Sequence, residues 1–186
     1  MTIFIGNCNH LIDWECIVVS LNSQPPAYIG PRHRSTDNII GIKEIATQWD
    51  TAGHTISSNG GSAGWGMYFA NQHFDQQIVD IFSKFVGITP VNAWISKILP
   101  GQMAPWHWDA NDNEVEYALK PDMLRFSCHI TKPSPGHISI IEDVCLYGQA
   151  QGNTYLWPSR KSWHAGANCG LTPKYLFNIF GTKLTD

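Results

Sequence analysis

Long apolar runs are missing from this sequence: no stretch approaches the roughly 20 residues that a membrane-crossing helix needs. A basic leader is missing as well, because the chain opens Met-Thr-Ile-Phe-Ile-Gly, so no secretory signal is expected. The cysteines lack any paired spacing. Cys8, Cys16, Cys128, Cys145 and Cys169 are odd in number, scattered, and never C-x-x-C. That argues against a structural zinc site and for reduced thiols in a cytoplasmic compartment. Basic charge is scarce. Twelve Lys and Arg stand against fifteen Asp and Glu, for a net charge of −3, and no basic run exceeds Arg32–Arg34. A phosphate-tracking surface, and with it a nucleic-acid partner, is not expected.

What is present fits a globular chain. Its 186 residues are 43% hydrophobic and 15% charged, which reads as a single domain spanning 1–186. Its texture changes near Pro90. Residues 1–90 read as helical and loop support. Asp37 is placed to cap a helix reaching about Asp50. Phe74, Ile78, Ile81, Phe82 and Phe85 recur at three- and four-residue steps, predicting a helix over 72–86. Residues 24–34 and 57–66, rich in Pro, Gly, Ser and Asn, read as loops.

Residues 91–181 alternate apolar and polar in short runs broken by Pro, Gly and Asn. Strands are expected at 91–98, 106–109, 124–131, 137–141, 144–147, 154–157, 163–168 and 174–180. Helices followed by eight short strands predict a mainly β chain with flanking helices, built on a cupin-like jelly roll.

The segment Leu-Pro-Gly-Gln-Met-Ala-Pro-Trp-His-Trp-Asp at 99–109 carries the most chemistry. On a strand, residues i and i+2 share a face, so His107 and Asp109 project together while Trp106 and Trp108 point away. A tripeptide of this kind is weak alone, and its ordinary alternative is a hydrogen-bonded pair on a polar sheet face. His164, inside Trp-His-Ala-Gly-Ala-Asn at 163–168, offers a third ligand from a strand of its own. Two imidazoles and a carboxylate on one side of a metal form the facial triad of non-haem Fe(II) oxygenases.

Two further strands place charge beside apolar surface. Lys174 shares a face with Leu176 and Asn178, opposite Tyr175, Phe177 and Ile179. There it either snorkels to solvent or meets an anion. Arg125, Ser127 and His129 share a face opposite Phe126, Cys128 and Ile130. Such a polar row is costly to bury without a ligand, and an Arg fork suits a carboxylate.

Taken together, the 99–109 segment, the Arg125–His129 strand and the ten-residue step from His164 to Lys174 resemble the double-stranded β-helix core of Fe(II)/2-oxoglutarate-dependent oxygenases. The resemblance covers about 91–181. Within that superfamily the pattern is similar to the aspartyl/asparaginyl β-hydroxylase-like group, whose R-x-x-x-H strand resembles Arg125 and His129. Asp109, and Lys174 where Arg is usual, are features shared with prolyl hydroxylases. The resemblance implies Fe(II) on His107, Asp109 and His164, with O₂ and 2-oxoglutarate as co-substrates. Lys174 would hold the far carboxylate of 2-oxoglutarate, with Arg125, His129 and Ser127 in the same co-substrate site. It implies hydroxylation of a peptide or protein side chain, with succinate and CO₂ as co-products.

Three other readings stand beside it: a small-molecule hydroxylase, a nucleic-acid dealkylase, and a non-catalytic cupin-like binding module. Asp109-Ala-Asn-Asp-Asn-Glu114 resembles the acidic tail of the dealkylase branch, but residues 175–182 lack the arginines of its last strand. A non-catalytic module need not keep a cation at Lys174. Substrate is expected to enter over loops 24–34 and 57–68 and the segment 111–116, because specificity commonly sits on loops carried by a rigid scaffold.

Overall fold

Strand β11, Lys174–Lys183, organises the molecule, and its two faces explain why. Tyr175, Phe177 and Ile179 are fully buried on one side, while Lys174, Asn178 and Phe180 are buried on the other. A strand hidden on both faces needs a layer above and a layer below. The computed structural model describes residues 1–26, 28–30, 65–107, 123–159 and 162–184, and both layers are among them.

The sheet containing β11 has seven antiparallel strands. These are β1 (Ile3–Asn7), β9 (Asn153–Leu156), β6 (Met123–His129), β11, β4 (Ile88–Ile98), β3 (Trp65–Phe69) and β2 (Tyr28–Gly30), in that spatial order. A four-stranded sheet faces it: β5 (Met103–His107), β10 (His164–Asn168), β7 (His137–Ile141) and β8 (Val144–Tyr147). Pairing among the last eight strands is nested. β4 joins β11, β5 joins β10, β6 joins β9 and β7 joins β8. A hairpin that pairs first with last and then rolls into two sheets is a jelly roll, or double-stranded β-helix, as the alternation in the sequence predicts.

Among the described residues, two helices cover the outer face of the large sheet. α1 (Trp14–Asn22) starts where the Asp13 carboxylate accepts from the Cys16 N–H, and buries Trp14 and Leu21. α2 (Gln76–Val86) is capped by Asp75, which accepts from the Gln77 N–H at 2.8 Å. It ends at Gly87, whose left-handed backbone (φ 72°) suits a residue with no Cβ. The helix begins at Gln76, not at 72 as the apolar stripe predicts, because the Asp75 cap marks its start. Phe177 lies at the centre of the core between sheet and helices. Its ring centroid is 5.5 Å from Trp14, 4.9 Å from Phe82 and 6.1 Å from Phe74.

The strand expectations hold with shifted ends. Those at 137–141 and 144–147 match β7 and β8, whereas the one at 106–109 begins three residues earlier, at Met103. β1, β2, β3 and α1 are additions that the sequence reading did not include. β2 lies inside the expected loop 24–34, and β3 begins at the end of the expected loop 57–66. The helix expected from Asp37 to Asp50 and the segment 111–116 lie outside the described residues, as do residues 31–64 and 108–122 in full. Among the described residues, no helix is long and apolar enough to cross a membrane.

Candidate functional site

The space between the two sheets holds the polar groups. β5 pairs with β10 so that His107 stands directly opposite His164, with imidazole centroids 4.2 Å apart. His107 is buried and His164 half-buried. The His164 Nδ1 lies 3.0 Å from the Ser162 carbonyl oxygen. A carbonyl only accepts, so Nδ1 carries the proton and Nε2 keeps its lone pair. A hydrogen bond of this kind to a backbone carbonyl is how metal-binding histidines are held in their ligating tautomer. Asp109, the expected third ligand, lies outside the described residues, and among the described residues no group of three His, Cys, Asp or Glu converges.

Lys174 enters this space from β11. It is 1% exposed, so it does not snorkel. Its Nζ donates to the Ser139 hydroxyl at 2.7 Å and to the Ile138 carbonyl, both on β7 of the facing sheet. Neither partner is charged. Burial pushes the ammonium down to about 7 from its ordinary 10.5. Gly166 on β10 makes room for it. A Cβ there would lie 3.6 Å from Lys174 Nζ and 2.9 Å from Ile98 Cδ1. Gly166 follows His164 by two residues, so the ammonium sits about 7 Å further along β10 than the histidine pair.

Arg125, Ser127 and His129 do share one buried face of β6, as the alternation predicts, but they spread along the interior. His129 pairs with Leu176, close to Lys174, whereas Arg125 pairs with Phe180. Phe180 is six residues from Lys174, about 20 Å along the strand. His129 therefore shares the Lys174 end, and Arg125 stands at the opposite end. Among the described residues, the buried His129 Nε2 has no hydrogen-bond partner. Burial, then the Lys174 charge, drives this imidazole down to about 3, so it is neutral. Ser127, midway, accepts from the Trp157 indole N–H at 3.0 Å. The Arg125 guanidinium lies over the Trp157 ring, 3.7 Å from its centroid, and 5.5 Å from that of Trp94.

No family model matches the chain, and no curated protein matches it. Solved structures do. A prolyl-4-hydroxylase from Pseudomonas putida aligns over 92% of this chain and 100% of its own, at 12% identity and a TM-score of 0.43. AviO1 from Streptomyces viridochromogenes aligns over 77% and 81%, at 12% identity and 0.46. The collagen prolyl hydroxylase of Paramecium Bursaria Chlorella virus-1, in its 2-oxoglutarate complex, aligns over 65% and 79%, at 14% identity and 0.44.

Several groups at the site were not singled out by the sequence reading. Ser139 and the Ile138 carbonyl carry the contacts of Lys174, and alternation in β7, which buries His137, Ser139 and Ile141 together, was the available signal. Gly166 inside a strand was a signal of close approach. Trp157 is buried, whereas Trp106 is 43% exposed and stacks on Trp163 at 6.2 Å.

Proposed function

We propose that the chain is an Fe(II)- and 2-oxoglutarate-dependent dioxygenase that hydroxylates a peptide, protein or small-molecule substrate, with peptide or protein side chains favoured by the sequence resemblance. The observation that carries this reading is Lys174: a fully buried ammonium whose partners among the described residues are a hydroxyl and a carbonyl. Desolvating such a charge costs several kcal/mol when no anion compensates it. A carboxylate of a bound ligand would supply the missing charge. The orphaned His129 Nε2 nearby adds a second polar atom awaiting a partner. A buried ammonium with only neutral acceptors among the described residues and an imidazole nitrogen with no hydrogen-bond partner among them, at one end of the interior with a histidine pair about 7 Å along the strand, fit a small dicarboxylate that also reaches a metal. A non-catalytic module of the same fold need not keep that cation.

His107 and His164, with Asp109 as the carboxylate expected from sequence, would hold the metal. Bound Fe(II) would supply oxidative decarboxylation of 2-oxoglutarate by O₂, giving succinate and CO₂ and placing one oxygen atom in a substrate C–H bond. The chain's own residues bind and orient: Lys174 fixes the far carboxylate, the Ser162 carbonyl holds the His164 tautomer, and the packed sheets exclude water. Succinate formation from 2-oxoglutarate with Fe(II) and O₂ and no added substrate tests the reading. Slow, Fe(II)-dependent succinate release is expected. A protein that takes up Fe(II) and 2-oxoglutarate but forms no succinate, with or without a digest of cell proteins as substrate, would rule out the enzyme and leave the binding module.

A further inference from the structure

We propose that Trp157 is a positioning residue for His164, acting through a fixed indole that joins the two sheets. This rests on the metal-site reading above and extends it to a residue outside the ligand set. Trp157 follows β9 of the large sheet, and its ring meets the His164 imidazole of the small sheet edge-on, centroids 4.6 Å apart at 66°. The indole is itself held at two points. Its N–H donates to Ser127 Oγ at 3.0 Å, and the Arg125 guanidinium lies over the ring at 3.7 Å. All three of these groups are buried, with Trp157 7%, Arg125 6% and Ser127 3% exposed.

The consequence is geometric. A hydrogen bond at Nδ1 to the Ser162 carbonyl does not by itself stop an imidazole from swinging about that bond. Contact with a wall on another side removes the swing, provided that the wall cannot move. The Ser127 acceptor sets the indole's rotation in its plane, and the cation over the face prevents tipping, a contact worth more when desolvated. A residue needed only to fill the core next to Ile141, Leu146 and Tyr155 would not need its ring set edge-on against the His164 imidazole. Supporting groups of this kind typically alter metal affinity 10- to 100-fold.

Co(II) binding to the whole protein, followed by calorimetry and by its visible absorption, tests the proposal without relying on activity. Trp157→Leu keeps apolar bulk and removes the wall. It is expected to weaken Co(II) binding 10- to 100-fold and to change the Co(II) spectrum. Trp157→Phe keeps an aromatic wall and should recover most of the affinity, within about 5-fold of wild type. Ser127→Ala leaves the indole in place but frees its rotation, and should fall between the two; it also keeps the test open if Trp157→Leu does not fold. Equal affinity and unchanged spectra across the folded variants, with only the melting temperature lowered, would overturn the proposal and leave Trp157 as packing. If the wild-type protein binds no Co(II), the metal site itself fails, and that result is distinct from the first.

Discussion

Lys174 and Ser139 belong to opposite sheets of the jelly roll, yet the ammonium donates to the hydroxyl at 2.7 Å. This contact crosses between the sheets at the level of Gly166, so the Lys174 amine stands inside the molecule beside neutral oxygens. On the proposed reading, this is where the far carboxylate of 2-oxoglutarate binds.

Lys174→Ala should weaken 2-oxoglutarate binding while leaving the metal in place. A charge-assisted hydrogen bond in a buried site contributes about 2–3 kcal/mol, which corresponds to roughly 30- to 150-fold in the apparent constant. Calorimetric titration of 2-oxoglutarate into the metal-loaded variant measures it. An unchanged constant, with Arg125→Ala producing the loss instead, would move the anion site to the other end of the interior.

Lys174 also predicts two pH dependences of opposite sign. In the folded protein burial pushes it down to about 7, against 10.5 ordinarily. Between those values the unfolded chain holds the extra proton, so this residue's contribution to stability increases as pH rises from about 7 towards 10. The penalty is fully present below about 7. Lys174→Met should remove this slope, as seen in chemical denaturation compared at pH 6.5 and 9.5. Co-substrate binding runs the other way, since it needs the ammonium: affinity should decline above pH 7, by at most about tenfold per unit. A wild-type 2-oxoglutarate affinity that is flat from pH 6.5 to 9 would contradict the assignment.

Phe177→Ala should cost about 3–5 kcal/mol of stability, because it empties the contact point of Trp14, Phe74 and Phe82 beneath both helices. The residue lies on the helix side of β11, away from the interior. Metal affinity of the folded fraction should therefore be unaffected, and a parallel loss of metal binding would show that the two faces of the sheet are not independent.

Much of the jelly roll was legible because its strands alternate. Period-2 patterning placed Lys174 opposite Tyr175, and Arg125 opposite Phe126, and the contacts divide in that way: Tyr175 and Phe126 join the main hydrophobic core, while Lys174 reaches Ser139 and Arg125 lies over Trp157. What alternation could not supply was the position of residues along the interior. Arg125, Ser127 and His129 look equivalent in sequence, and only the register of β6 against β11 separates His129 at the Lys174 end from Arg125 at the other. Proline also misled. Pro90 marked the expected start of the β region, but β4 runs through it from Ile88. It is accommodated opposite Gly181, where the register shifts and where a Cβ would come within 2.1 Å of the Thr89 carbonyl oxygen. Helix α1 was missed although its signals were present: Asp13 as cap, Glu15 in the first turn, and Trp14, Ile17, Val18 and Leu21 on one stripe. β1 has no alternation, only the run Ile3-Phe-Ile, and its edge position leaves those side chains exposed.

The pairing of His107 with His164 is the centre of the account, and metal stoichiometry tests it most directly. Mn(II), standing in for Fe(II) without its oxidation, should bind the wild-type protein at one ion per chain, and His107→Ala and His164→Ala should each abolish that binding while the protein remains folded by circular dichroism. Unchanged Mn(II) affinity in folded His107→Ala would contradict the account, because no arrangement of the remaining residues described here would then explain the site.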